Sequence, residues 1–297
     1  MSTIMAAAVQ MDSQSNKAAN LRQAEKLIRE AAAKGAAYIC LPEYFNFIGP
    51  EEDEERNAEV VPTGATPQLL SRLARQLGVW LHGGSILEKV EGMEKYYNTT
   101  LLFDPHGEIV SRYRKIHLFD AQIEDGYMES RTKNFGSEIV VHKTSFATVG
   151  LTICHDVRYP ELYRLLALQG AEIMTVPAAF PMYTGKDHWE VLLRARAIEN
   201  QVYVIAPGQI GDKHDMRCYG RSMIIDPWGN VIASASDVET MVLAEIDTSF
   251  LQEVRRKMPS LQNRRPEVYS LAIREGNDPT QSKACLFARP RDENCGV

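Results

Sequence analysis

Cys154 stands where an apolar run, residues 149–153, gives way to a polar turn and then to an apolar helical pattern that starts near Pro160. A cysteine at the end of a strand can be exposed to substrate, and backbone N–H groups of the following turn can stabilise a developing oxyanion. The chemistry that this arrangement suits is nucleophilic attack by the thiol. The alternative is a buried cysteine that only fills the end of a strand.

A nucleophilic thiol needs a base, because its ordinary pKa of about 8.5 leaves only a few per cent of thiolate at neutral pH. Glu43 follows Pro42 at the end of another short apolar run. Such a strand end could direct the carboxylate into a shared crevice. The alternative is a solvated carboxylate in a turn.

A cationic group could stabilise the oxyanion, and Lys115 is the candidate. It lies in the run from Ile109 to Phe119, where alternation places Tyr113, Lys115 and His117 on one face of a strand. A compact ammonium suits a tetrahedral oxyanion because it is a strong point charge. The alternative is a basic strand face that is exposed to solvent.

Three segments contain these candidates: Leu41-Pro-Glu-Tyr-Phe45, Tyr113-Arg-Lys-Ile-His-Leu-Phe119 and Ile153-Cys-His-Asp-Val-Arg-Tyr-Pro-Glu161. In order and spacing they resemble the three catalytic motifs of the nitrilase superfamily of carbon–nitrogen hydrolases. The resemblance extends over roughly residues 3–270. It is greatest to the amidase branch of that superfamily, which includes enzymes for α-keto acid amides such as deaminated glutathione.

The resemblance implies a role for each candidate. Cys154 is the expected nucleophile, Glu43 the general base and acid, and Lys115 the oxyanion stabiliser. Glu129, in Met128-Glu-Ser130, matches a second glutamate that positions the lysine and the substrate. The implied reaction cleaves a small non-peptide amide through a thioester, releases ammonia and a carboxylic acid, and requires no metal or organic cofactor.

Further residues are expected near the reaction. The side chain of His155 should point away from Cys154, so its backbone N–H is expected to stabilise the oxyanion. Tyr44 and Phe180, which follow the ends of two matching strands, are expected to contact the substrate. The charge run at residues 51–56 is expected to be a solvated loop and is assigned no chemistry.

Two other functions are compatible with the sequence. One is a nitrilase or an N-carbamoyl-amine hydrolase of the same fold, which product analysis on amide, nitrile and ureido substrates would distinguish. The other is a non-enzymatic binding module, in which exposed helices and the C-terminal tail would form the functional surface. A binding module has no need for the cysteine, the lysine and the glutamate, and all three are present.

The composition bounds the kind of protein that positions these residues. The chain of 297 residues is 44% hydrophobic and 24% charged, which is typical of a globular protein with a large core. A net charge of -6 gives no general basic field for nucleic acid or an anionic membrane, and no stretch approaches the roughly 20 apolar residues of a membrane span. The five cysteines include no CxxC pair. We therefore expect a cytoplasmic protein whose partner is a small molecule, and the superfamily implies a homodimer or higher homo-oligomer.

The elements follow from hydrophobic periodicity. Residues 3–10 predict a strand, residues 17–34 a helix, and residues 36–41 a second strand, which together form a βαβ unit. We expect one carbon–nitrogen hydrolase domain over residues 1–275. Residues 276–297 lack periodicity and are predicted to form a loose or partner-wrapping tail.

This unit is repeated later in the chain. The matching segments are Gly35-Ala-Ala-Tyr-Ile-Cys-Leu-Pro42 with Gly170-Ala-Glu-Ile-Met-Thr-Val-Pro177, and Asp104-Pro-His-Gly107 with Asp226-Pro-Trp-Gly229. An ancient duplication is the hypothesis that explains them. The fold class is therefore α/β, with two pseudo-symmetric halves that pack as a four-layer αββα sandwich.

Overall fold

The computed structural model describes residues 3–121 and 127–271. Within them the strands are, in chain order, β1 (Thr3–Gln10), β2 (Tyr38–Cys40), β3 (Trp80–His82), β4 (Ile86–Glu88), β5 (Tyr97–Phe103), β6 (Ile109–Arg114), β7 (Asp120–Ala121), β8 (Tyr127–Met128), β9 (Val141–Lys143), β10 (Thr148–Leu151), β11 (Ile173–Thr175), β12 (Tyr203–Ala206), β13 (Ile210–Asp212), β14 (Arg217–Tyr219), β15 (Met223–Ile225), β16 (Val231–Ser234) and β17 (Thr240–Asp247). The α-helices are α1 (Lys17–Ala33), α2 (Glu54–Asn57), α3 (Ala65–Leu77), α4 (Pro160–Leu168), α5 (Met182–Asn200) and α6 (Thr248–Lys257).

Two sheets form the centre of the molecule. The first has the order β17-β1-β2-β3-β5-β4, with β6 also paired to β5, and the second has the order β9-β10-β11-β12-β15-β16. In each sheet three neighbouring strands are parallel, β1 to β3 in one and β10 to β12 in the other. An antiparallel strand flanks each parallel set on both sides. The two halves therefore have the same topology.

Alternate residues of the first sheet face different layers. In β1, Ala6 and Ala8 belong to the cluster that packs on the second sheet, whereas Ala7 and Val9 pack among the buried residues of α1 and α3. Helices α4 and α5 cover the second sheet from the other side, where Trp189 is fully buried. This alternation is what a sheet between two apolar layers requires. The predicted αββα sandwich is confirmed.

The two Asp-Pro-x-Gly hairpins have the same hydrogen bonds. The Oδ1 atom of Asp104 accepts from the backbone N–H groups of His106 and Glu108, each at 2.9 Å. The Oδ1 atom of Asp226 accepts from the equivalent groups of Trp228 and Asn230, also at 2.9 Å. An aspartate that bonds its own turn in this way fixes the hairpin locally, so the sequence repeat is also a structural repeat.

The sequence predicted the first elements well. The strand at residues 3–10 and the helix from Lys17 are observed, with Asn16 capping the helix through a bond from Ala19 N at 3.1 Å. The second strand is shorter than predicted, because only Tyr38–Cys40 pairs on both sides. The predicted tail at residues 276–297 lies outside the described residues. Within the described ranges, no helix is both long and apolar enough to cross a membrane.

Candidate active site

The turn after β2 holds Glu43 at the edge of the first sheet. Ser85 N donates to Pro42 O at 3.3 Å, and Tyr44 N donates to Ser85 Oγ at 3.1 Å. Gly84 has a φ of 55°, and a Cβ atom there would lie 2.1 Å from Pro42 O. Only glycine allows this close approach of the two chain segments. These contacts fix the Glu43 backbone without the Glu43 side chain.

The Glu43 carboxylate is buried and accepts hydrogen bonds at both oxygens. Its Oε1 atom accepts from Lys115 Nζ and from Asn98 Nδ2, each at 2.9 Å. Its Oε2 atom accepts from the backbone N–H of Ala179 at 2.7 Å, across the interface between the two halves. The Cys154 thiol donates to the same carboxylate. Glu43 therefore contacts both the thiol and the ammonium that the sequence singled out.

Lys115 lies between two carboxylates. Its Nζ atom is 2.9 Å from Glu43 Oε1 and 2.8 Å from Glu129 Oε2, and its side chain is only 2% exposed. Burial alone lowers the pKa of the ammonium, but the carboxylates of Glu129 and Glu43 outweigh it and hold this pKa well above its usual value. The lysine is therefore charged at neutral pH. Two of its three N–H donors are used in these contacts, which leaves one for an oxyanion.

Glu129 is also buried, at the start of a short 3-10 helix, Glu129–Arg131. Burial raises the pKa of its carboxyl, and the Lys115 ammonium reverses the effect and lowers that pKa to about 2. The carboxylate also accepts from Phe119 N at 2.8 Å, from Tyr44 Oη at 2.8 Å and from Asn98 Nδ2 at 3.0 Å. Glu129 is thus an ionised support for the lysine rather than a proton donor.

Cys154 begins a 3-10 helix, Cys154–Arg158, directly after the second sheet. Its φ of 45° is in the left-handed region, and its backbone N–H donates to Pro177 O at 2.9 Å. Burial and the Glu43 carboxylate raise the pKa of the thiol well above its usual value, although Lys115 acts in the opposite direction. The resting thiol is therefore protonated, so attack requires a base in contact with it.

Asp156 ties the Cys154 turn to the segment that holds Lys115. Its Oδ2 atom accepts from Ile153 N at 2.8 Å and from Tyr113 Oη at 2.7 Å. Its Oδ1 atom accepts from His117 N at 3.1 Å and is 2.7 Å from His117 Nδ1. The side chain is completely buried. One carboxylate thus fixes the residue before the thiol and the residues on both sides of the ammonium.

The side chain of His155 packs against two aromatic rings outside this cluster. Its ring centre is 5.1 Å from that of Phe119, and its Nε2 atom is 3.3 Å from Tyr159 Oη. Burial lowers the pKa of the imidazole to about 4, so the ring is neutral at pH 7. The proposed role of its backbone N–H stays a prediction.

The reacting groups line a cavity of about 70 Å³. Tyr44 lines it, as expected from the sequence, together with Leu87 and Met216. Phe180 does not, because its ring packs in the core with its centre 5.0 Å from that of Trp189. The neighbouring Ala179 lines the cavity instead, and a contact of Phe180 with substrate stays a prediction.

Two groups that hold the carboxylates of the site in place were not identified from the sequence. Asn98, on β5, donates to both Glu43 and Glu129, and the Ala179 N–H donates to Glu43. The sequence feature that could have identified Asn98 is its polar carboxamide, which lies on the same face of the strand as Thr100 and Leu102. A backbone N–H carries no signal of its own.

Comparison with known proteins places this architecture in a family. Residues 5–256 match the model of the carbon-nitrogen hydrolase family. A deaminated glutathione amidase of Synechocystis sp. is 47% identical over 270 residues, which cover 89% of this chain and 99% of the relative. Omega-amidase NIT2 of Xenopus tropicalis is 42% identical over 258 residues, which cover 86% of this chain and 92% of the relative.

A solved structure shows the same fold. Nit3 of Saccharomyces cerevisiae, described as a member of branch 10 of the nitrilase superfamily, superposes with a TM-score of 0.82 at 33% identity. The match covers 89% of this chain and 97% of the yeast chain. These similarities confirm the predicted resemblance and favour an enzyme over a binding module. The chain belongs to the carbon–nitrogen hydrolase family.

Proposed function

We propose that this protein is an amidase that hydrolyses small non-peptide amides, with Cys154 as nucleophile, Glu43 as base and acid, and Lys115 as oxyanion stabiliser. The observation that supports this most directly is the Glu43 carboxylate, which accepts both from the Cys154 thiol and from Lys115. A protonated thiol that touches a carboxylate can lose its proton as it attacks. Glu129 and Asn98 hold the carboxylate and the ammonium in place.

The reaction begins as Glu43 accepts the thiol proton and Cys154 Sγ bonds to the amide carbonyl carbon. Negative charge moves to the carbonyl oxygen, where the third N–H of Lys115 and the backbone N–H of His155 stabilise it. The C–N bond then breaks as Glu43 returns the proton to nitrogen. Ammonia leaves, and a thioester to Cys154 remains.

Water completes the cycle. Glu43 takes a proton from water as its oxygen bonds to the thioester carbon, and Lys115 again stabilises the oxyanion. The C–S bond breaks, the carboxylic acid leaves, and Glu43 returns the proton to the thiolate. One carboxylate acts twice in this scheme, so none of these steps calls for a metal or an organic cofactor.

The substrate class we propose is the α-keto acid amides. The relatives named above act on deaminated glutathione or are omega-amidases, and the sequence resembles the same branch. A planar amide also suits the site better than a linear nitrile, because it presents an N–H donor beside its carbonyl and a nitrile presents neither.

Assembly and location are parts of the same proposal. Helix α5 carries Tyr183, Val191 and Ile198 on its surface, with exposures of 59%, 66% and 50%. Large apolar side chains along one helix support a homodimer or higher homo-oligomer, which light scattering after size exclusion would measure.

The free thiols of Cys40, Cys154 and Cys218 are consistent with a reducing, cytoplasmic location.

The decisive experiment measures ammonia released from a short α-keto acid amide and from the matching nitrile. We expect the amide to be at least about a hundredfold better in kcat/KM, a difference of roughly 3 kcal/mol. Mass spectrometry should find the acyl group on Cys154 when turnover is stopped with acid. Equal rates on the two substrates, or a preference for the nitrile, would overturn the amidase proposal.

A further inference from the structure

The charge run at residues 51–56 reaches the catalytic cavity. Glu54, the first residue of α2, lines the cavity together with Lys133, which follows the Glu129 helix. The two side chains form an ion pair and are only 11% and 3% exposed. The carboxylate that the sequence placed in a solvated loop is therefore part of the cavity wall.

This ion pair is incompletely satisfied within residues 3–121 and 127–271. Lys133 Nζ donates to Glu54 Oε1 and, at 2.7 Å, to Thr132 Oγ1. An ammonium has three N–H donors, so one is left. Glu54 Oε2 is buried and has no hydrogen-bond partner. The pair thus leaves one donor and one acceptor unused.

Such an arrangement is poorly explained by stability alone. Burying an ion pair costs desolvation energy, which is recovered only when the remaining donors and acceptors are also satisfied. A buried acceptor without a partner adds a further cost. A ligand that supplies the missing partners would remove that cost.

The position of the pair suits the far end of a substrate. Lys133 and Glu54 also line an adjoining cavity of about 200 Å³, together with Glu51, Arg131 and Asp215. The cavity above Cys154 is much smaller, about 70 Å³, which is room for about five waters. A substrate longer than a simple amide must therefore extend past the ion pair.

The charges indicate which group would bind there. The pair itself is neutral, and the adjoining cavity adds the acidic Glu51 and Asp215 against one cation, Arg131. A neutral group with a donor and an acceptor matches both unused positions and adds no charge to this acidic surplus. We propose that Lys133 and Glu54 form a distal subsite for a carboxamide or peptide-like amide. Its carbonyl accepts from Lys133 Nζ, and its N–H donates to Glu54 Oε2.

The test compares two primary amides of similar length. 4-Acetamidobutanamide carries a distal amide and heptanamide a distal alkyl chain. This proposal deepens the proposed function, so binding to Cys154→Ala protein is measured by calorimetry alongside wild-type turnover. We expect the distal amide to bind at least about tenfold more tightly than heptanamide, since hydrogen bonds to charged groups contribute this much.

Variants then assign the preference to the pair. Lys133→Met and Glu54→Gln, each combined with Cys154→Ala, should reduce the preference to about twofold or less. The matched control is Arg255→Met, which removes a half-buried cation that donates to Gln201 O and Ala171 O away from the cavity and should keep the preference. Testing both members of the pair guards against one variant that fails to fold.

Each outcome separates the two proposals. Turnover without any binding preference would contradict the subsite proposal and support the amidase proposal. The expected order of binding without turnover supports the subsite and removes the amidase. The subsite is also overturned if no amide binds measurably, if heptanamide binds equally well, or if Arg255→Met abolishes the preference.

Discussion

The two halves of the sandwich have the same strand order and place different residues at equivalent positions. In the first half Ala8 pairs with Cys40, and Met11 and Glu43 each stand three residues further along. In the second half Leu151 pairs with Thr175, and Cys154 and Ala178 each stand three residues further along. Cys154 therefore corresponds to Met11, and Glu43 corresponds to Ala178.

This difference explains why a repeated framework forms the candidate site only once within the described residues. Met11 and Ala178 are completely buried and fill the core. The first half supplies Glu43, Lys115 and Glu129, and the second supplies the thiol and the Ala179 N–H that holds Glu43. Neither half contains a complete set, so the chemistry depends on how the two sheets pack.

The largest expected effect comes from replacing the residues at the two equivalent positions, Cys154 and Met11, by alanine. Cys154→Ala should reduce turnover by about 10⁴-fold or more, because the reacting atom is lost, while the melting temperature stays close to that of the wild type. Met11→Ala should do the reverse. It should cost about 2–5 kcal/mol of unfolding free energy because it leaves a cavity in the core, with kcat within a few fold. Retained turnover in Cys154→Ala would show that the thiol is not the nucleophile.

The charged groups of the first half should make the free energy of unfolding depend on pH in the acid range. The depressed pKa of Glu129, about 2, means that its stabilising effect is complete above the unfolded value of about 4.3 and is lost as pH falls toward 2. Glu129→Gln should therefore cost about 3 kcal/mol at pH 7 and much less at pH 3, measured by urea unfolding. The control is Glu172→Gln in the second half, a half-buried carboxylate that accepts from Thr148 N. An equal cost of Glu129→Gln at both pH values would contradict the prediction.

The smallest expected effect tests how the halves are aligned. Asp156→Asn cannot preserve the network, because either orientation of the amide places its NH2 group against a backbone N–H, that of Ile153 or that of His117. We expect kcat to fall about a hundredfold, since small misplacements of reacting groups have effects of this size. KM should change little.

The matched control for Asp156→Asn is Asp226→Asn, which removes a similar turn-holding carboxylate outside the cavity. The melting temperature of Asp226→Asn should fall, and its kcat should stay near the wild-type value. Equal losses of kcat in the two variants would reduce Asp156 to a general contribution to folding.

The sequence predicted the parts of the site that come from strand ends. Glu43 and Cys154 stand beyond short apolar runs, and Lys115 follows an alternating strand, so local patterns identified them. Glu54 was missed because a run of six charged residues, 51–56, resembles a solvated loop, and only the tertiary structure pairs it with Lys133. Neither hydropathy nor spacing reveals such a pairing between distant segments.

Phe180 shows a different limit. The repeat correctly predicted that the chain turns toward the site after β11, but it could not predict which side chain of the turn faces the cavity. Ala179 does so, and its N–H donates to Glu43. The ring of Phe180 points instead toward the Trp189 side of the core. Within a turn, a shift of one residue changes the direction of the side chain, and periodicity gives no guide to it.

The pairing of β17 with β1 has a consequence for synthesis on the ribosome. All eight residues of β1 pair with β17, from Thr3 with Asp247 to Gln10 with Thr240. A nascent chain that has not yet reached residue 247 therefore has an unpaired edge on its first sheet, and unpaired edges promote association between chains. The first strand to be made acquires its last neighbour only after both catalytic halves have been translated.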